Sequence, residues 1–134
     1  MLKKLALITA LALLVFAGCG SGSMTPGDPG KKQFYGVYRD SLKFTASTAK
    51  EAAGVRVVIT DNAGVKLLDL AVSKHIGAEY YYISRLPKNT IQEFEDFFHE
   101  YFFFGKSKNI KIVQGKIYYY DEKGSEILRM QEVK

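Results

Sequence analysis

From Phe34 onward, apolar and polar residues alternate with a period close to two over most of the chain. Two stretches repeat one arrangement. "VRVVIT" (55–60) and "VKLLDLAV" (65–72) flank Asp61-Asn62-Ala63-Gly64, while "KIYYY" (116–120) and "SEILRMQEV" (125–133) flank Asp121-Glu122-Lys123-Gly124. Strand-forming runs on either side of a short loop, with Gly placed for a left-handed backbone, predict two β-hairpins. At an offset of 60 residues Asp61 aligns with Asp121, Gly64 with Gly124, and Leu68 and Leu70 with Leu128 and Met130. Alternation puts these apolar pairs on a core face and their neighbours Asp69 and Arg129 opposite. An internal duplication accounts for the match, as do two independent hairpins obeying one turn chemistry, which require less. Further strands are expected at 34–38, 42–46, 78–84 and 110–113.

The pattern changes to a helical period over about 90–104, where Ile91, Phe94, Phe98, Tyr101 and Phe102 share one face. Gln92, Asp96, His99 and Glu100 fall largely opposite, and Phe103 lies outside the apolar stripe. Asn89 or Thr90 is placed to cap this helix after Pro87, and Gly105 to close it. Glu93, Glu95 and Asp96 are expected near its positive end, with Lys106 and Lys108 beyond its negative end. Residues 46–53, "ASTAKEAA", predict a second short helical turn, with Thr48 and Glu51 as a capping box and Gly54 as its stop. Runs of strands around one clear helix predict an α+β domain, an antiparallel sheet of β-hairpins with the amphipathic helix packed on it.

The first nineteen residues follow a different pattern. Lys3 and Lys4 precede twelve uncharged, mostly apolar residues, Leu5–Phe16, followed by Ala17, Gly18 and Cys19. A spanning helix needs about 20 apolar residues, so this run is too short to cross a bilayer. A basic start, an apolar run and small residues at a cut site describe a secretory signal peptide. Phe16-Ala17-Gly18-Cys19 resembles the lipobox of bacterial lipoprotein signal peptides, with Phe16 standing where Leu is usual. The resemblance implies cleavage after Gly18 and acylation of Cys19, which becomes the lipid-bearing N-terminus. Residues 1–18 are then a cleaved signal, and 34–134 a single small domain. Residues 19–33 are the lipidated Cys and a Gly/Ser/Pro tether, whose 14 residues after Cys19 have an r.m.s. reach of roughly 20 Å. More than one acyl chain is needed for firm anchoring, since each buried methylene adds only about 0.8 kcal/mol. The implied location is the cell membrane or outer membrane, with the domain outside the cytoplasm.

Composition narrows the chemistry. Loss of residues 1–18 removes two lysines and no acid, lowering the formal charge from +5 to +3, too mild for a nucleic-acid partner. Cys19 is the only cysteine, so the domain core forms without disulfides. Neither His75 nor His99 has a second ligand at metal-binding spacing, and no cofactor motif is present. A nucleophile with a base in reach is likewise missing, leaving no catalytic set. An alternative, small hydrolase-like or ligand-binding chemistry, would use Glu93, Asp96 and Glu100 on the acidic helix face with His99. A purely structural envelope protein is a further alternative.

The remaining feature is aromatic. Tyr80-Tyr81-Tyr82 and Tyr118-Tyr119-Tyr120 both fall in strands, where alternation sends the outer pair to one face and the middle residue to the other. Some of these tyrosines must face away from the helix, and with Phe103 they are the candidate contact surface for a protein or envelope partner. Their bland role is cross-strand pairing that only stabilises the sheet. The expectation is therefore a membrane-anchored, non-catalytic lipoprotein that binds an envelope component.

Overall fold

The computed structural model describes residues 31–75, 77–104 and 107–134. Residues 1–30, on which the expected signal peptide, the expected lipidated Cys19 and most of the expected tether fall, lie outside the described residues, as do Gly105 and Lys106. The elements are β1 (Lys31–Tyr38), β2 (Leu42–Glu51), β3 (Gly54–Asp61), β4 (Lys66–Ser73), β5 (Gly77–Ile83), α1 (Lys88–Phe103), β6 (Ile110–Val113), β7 (Lys116–Tyr120) and β8 (Glu126–Glu132). The eight strands form one antiparallel sheet in the order β5-β4-β3-β2-β1-β8-β7-β6, with α1 across one face. The fold is α+β, as the alternation and the single helical period predict.

The core lies between α1 and the sheet. Phe34 and Tyr38 of β1, Phe44 and Ala46 of β2, Val57 and Ile59 of β3, and Leu68, Leu70 and Val72 of β4 all point to the helix side and are buried. Phe94, Phe97 and Phe98 are fully buried beneath α1, each such burial contributing roughly 1.5–3 kcal/mol relative to exposure. The rings pack in mixed geometries, Phe94 stacked on Tyr38 and edge to face with Phe44, and Phe97 tilted against Tyr119. Phe94 meets Tyr38 and Phe44 at centroid distances of 5.2 and 5.1 Å, and Phe97 meets Tyr119 at 5.2 Å. Gly36 leaves room for this packing, because a Cβ there would sit 2.3 Å from the Phe44 ring.

The two hairpins share their turn hydrogen bonds, glycine conformation and bulge position. Asp61 Oδ1 accepts from the N–H groups of Ala63 and Val65, and Asp121 Oδ1 from those of Lys123 and Ser125, all at 2.9 Å. Gly64 and Gly124 both adopt φ 84°, where a side chain would be strained. Each hairpin also carries a β-bulge at the matching place: between Ile59 and Thr60 opposite Leu67, and between Tyr119 and Tyr120 opposite Ile127.

The short helix expected at 46–53 is absent. Residues 46–51 continue β2, which pairs with β3 from Phe44↔Asp61 to Glu51↔Gly54, and Ala52-Ala53 form the turn between them. Ala46 and Thr48 are buried while Ser47 is exposed, a period-two pattern that the eight-residue helical propensity cannot overcome without its own packing surface. The cap of α1 also differs. Pro87 occupies the N-cap position, no side chain caps it, and Asn89 and Thr90 already lie in the first turn. No acidic residue falls in that turn. Phe97 completes the apolar stripe between Phe94 and Tyr101, a position missing from the predicted face.

Candidate functional site

Two carboxylates of α1, Glu93 and Glu95, are spent on the sheet beneath it. A third, Glu100, is tied by one oxygen to the loop after the helix, while its other oxygen is buried without a hydrogen-bond partner among the described residues. Glu93 Oε1 accepts from the Tyr38 hydroxyl at 2.5 Å, and its carboxylate takes two bonds from Arg39. Glu95 accepts from the Tyr80 hydroxyl, and Glu100 accepts from Ser107 at 3.0 Å beside Tyr119. Burial, followed in each case by the neighbouring carboxylate, holds the Tyr38, Tyr80 and Tyr119 hydroxyls above the ordinary tyrosine range. Asp96 is exposed and accepts from the Gln92 amide at 2.9 Å. His99 is half-buried, with Nε2 3.0 Å from the Ser73 carbonyl oxygen, rather than solvated. The acidic face is thus largely a set of pins between helix and sheet. Among the described residues no group of three or more His, Cys, Asp or Glu could hold a metal ion.

The helix-free face of the sheet carries the remaining polar and aromatic side chains. One half of it is closed by its own interactions. Asp69 of β4 is buried and accepts from Arg56 at 2.6 and 3.0 Å and from Lys66 at 3.2 Å. Bonding to Arg56 holds its carboxyl below the usual range. Tyr81 stacks over the Arg56 guanidinium at 4.0 Å, and Tyr82 lies 6.0 Å from the Lys66 ammonium.

Strict alternation cannot produce that arrangement, which would set Tyr80 and Tyr82 on one face. The β4–β5 register jumps from Leu70↔Tyr80 to Asp69↔Tyr82, leaving Tyr81 as the extra residue of a bulge. A bulge inserts one residue and re-aims its neighbours. Tyr80 consequently packs toward α1, while Tyr81 and Tyr82 both reach the helix-free face. In β7 alternation holds: Tyr119 is buried against Phe97, and Tyr118 and Tyr120 stack together on the open face at 6.5 Å. Phe103 is on neither surface. It is half-buried at the end of the sheet near Ala52, Ala53 and Lys74, with its ring 5.7 Å from His99.

The other half of this face is open. A groove of about 690 Å³ crosses β3, β2, β1, β8 and β7, lined in part by Tyr35, Lys43, Thr45, Lys116, Tyr118 and Arg129. Register builds it in two rows: Tyr35 beside Gln131 and Lys116, then Val37 beside Arg129 and Tyr118. Tyr35 is 63% exposed. Arg129 Nη1 donates to Asp40 and Glu126, both at 2.7 Å. Lys43 and Lys116 have no ion-pair partner among the described residues. Asp61, at the groove's rim, already uses its Oδ1 on its own turn. The groove therefore presents cations and aromatic rings with few uncommitted carboxylates, and it suits an anionic, extended ligand.

Of the tyrosines singled out from the sequence, Tyr81, Tyr82, Tyr118 and Tyr120 reach this face, with only Tyr118 lining the groove. Tyr80 and Tyr119 lie under the helix. Tyr35, Lys43, Lys116 and Arg129 went unnoticed as candidates. Tyr35 was detectable in principle, because it alternates with the core residues Phe34 and Tyr38 only if it faces outward. The lysines carried no signal, since their convergence depends on the pairing of strands distant in sequence. No family model, no curated protein sequence and no solved structure matches this chain.

Proposed function

We propose that this chain is a lipid-anchored bacterial envelope protein whose domain is a non-catalytic binding module. In this reading residues 1–18 are removed, Cys19 is acylated, and residues 19–33 tether the domain outside the cytoplasm. The helix-free sheet face holds a carboxylate-bearing segment of an envelope protein. The observation that carries the binding role is the groove itself, in which Lys43 and Lys116 lack acidic partners beside the exposed rings of Tyr35 and Tyr118. Long-stemmed lysines beside tyrosines offer charge for specificity and flat apolar area at low entropic cost. The alternative use of Glu93, Asp96 and Glu100 as catalytic groups loses support, because Glu93 is committed to Tyr38 and Arg39 and Asp96 is exposed beside Gln92, so the three carboxylates do not converge on one pocket.

The binding role is tested by placing a photocrosslinking residue at Tyr35 or Tyr118, and at Gln92 on the outer face of α1, in intact cells. Crosslinks to an acidic protein segment from the first two positions, lost in a Lys43→Glu/Lys116→Glu variant with unchanged melting temperature, are expected. Capture that survives charge reversal, or that is equal from Gln92, refutes the groove. For the anchor, Cys19→Ala should leave unprocessed precursor and abolish incorporation of labelled palmitate, and normal cleavage of that variant would refute the lipoprotein assignment.

A further inference from the structure

The two ends of the sheet differ in charge. Antiparallel topology gathers the start of β1, the β2–β3 turn, the β4–β5 turn, the β6–β7 turn and the end of β8 at one end. Lys31, Lys32, Lys50, Lys74, Lys116 and Lys134 lie there and are all exposed. Three carboxylates lie toward that end, Glu51, Glu79 and Glu132, so the lysines remain in excess; Glu51 is engaged by Arg56 at 3.6 Å and Glu132 by Lys32 at 4.0 Å. The opposite end is nearly balanced: Asp40, Asp61, Glu93, Asp121, Glu122 and Glu126 lie with Arg39, Lys43, Lys66, Arg85, Lys88, Lys108 and Lys123. Eight-residue strands separate the ends by roughly 25 Å, about three Debye lengths at physiological salt. A charged surface therefore senses one end and not the other.

The basic end is also where residues 19–30 join the domain, since β1 begins at Lys31. Exposed Ala52 and Ala53 and the half-buried Phe103 add apolar area beside Lys50 and Lys74. The geometry points to a docking surface for anionic lipid headgroups: this end of the sheet rests on the bilayer that holds the anchor, with the strands upright and the groove facing sideways. The inference rests on the lipid-anchor proposal, because the tether keeps this end within roughly 20 Å of the bilayer and so raises its local concentration there. Each lysine brought to an anionic surface multiplies occupancy of the docked state about fivefold.

The test uses the acylated chain reconstituted in vesicles, labelled with a fluorophore at Ala53→Cys or, at the opposite end, Ala63→Cys. The natural thiol of Cys19 is consumed by acylation, so each label is unique. Quenching by headgroup-labelled lipid is compared between vesicles with and without anionic lipid. Stronger quenching at position 53 than at 63 in anionic vesicles is expected. It should fall to the neutral-vesicle level in high salt and in a Lys50→Glu/Lys74→Glu variant. Equal quenching at both positions, or quenching at 53 that ignores anionic lipid, overturns the docking surface while leaving the anchor intact. Failure of the chain to float with any vesicle overturns the anchor and the docking surface together.

Discussion

Replacing Asp69 by Asn tests whether the closed half of the helix-free face is held by charge. Asp69 is 4% exposed and accepts two bonds from Arg56 and one from Lys66. Asn keeps the shape but turns an amide toward a cation and removes the charge. A hydrogen bond to a charged group contributes about 1.5–3 kcal/mol. The Arg56 side chain is 33% exposed and that of Lys66 48%, so solvent screening limits the Lys66 contribution to that of a surface pair, about 0–1 kcal/mol. The expected loss is about 2 kcal/mol at neutral pH, or about 8–16 °C in melting temperature for a domain of this size.

The pH dependence supplies an independent check. The folded-state pKa of Asp69 is depressed by Arg56. Its contribution is therefore fully present above the unfolded carboxylate value of about 3.9 and is lost as pH falls through the lower folded value. Urea unfolding of both proteins followed by circular dichroism should show the gap near pH 7 and its closure under acid, where wild-type Asp69 is itself neutral. A loss under 0.5 kcal/mol at neutral pH, or a gap that persists in acid, refutes the argument. In a double-mutant cycle with Arg56→Gln, a coupling near zero would do the same.

Phe97→Ala should cost about 3–5 kcal/mol in denaturant unfolding, because its ring is fully buried among Phe98, Tyr101 and Tyr119. Tyr118→Ala, at a groove position, should stay close to wild-type stability by the same assay. The raised hydroxyls of Tyr38, Tyr80 and Tyr119 predict alkaline sensitivity. Their stabilisation is complete below the unfolded tyrosine value of about 10 and is lost as pH rises through the higher folded values. Phenolate absorbance should therefore show a late-titrating set whose ionisation coincides with unfolding.

Local chemistry made several features legible in the sequence. The two Asp-x-x-Gly turns, the helix's apolar stripe and the inward residues of β3, β4 and β8 depend on near neighbours, so periodicity and turn residues report them directly. The resemblance of residues 16–19 to a lipobox is likewise a local signal. Other features depend on which strands meet. Residues 46–53 have helix-compatible composition, but β3 offered a full ladder and the sheet buried Ala46 and Thr48, making 46–51 strand and Ala52-Ala53 a hairpin turn. The bulge at Tyr81 follows from packing against β4, and it moved a tyrosine to the face opposite the one that alternation assigned. The groove assembles Tyr35, Lys43, Lys116 and Arg129 from four strands spread over almost a hundred residues. The uneven ends likewise exist only once eight strands are aligned, because lysines far apart in the chain form a surface when topology brings their turns to one side.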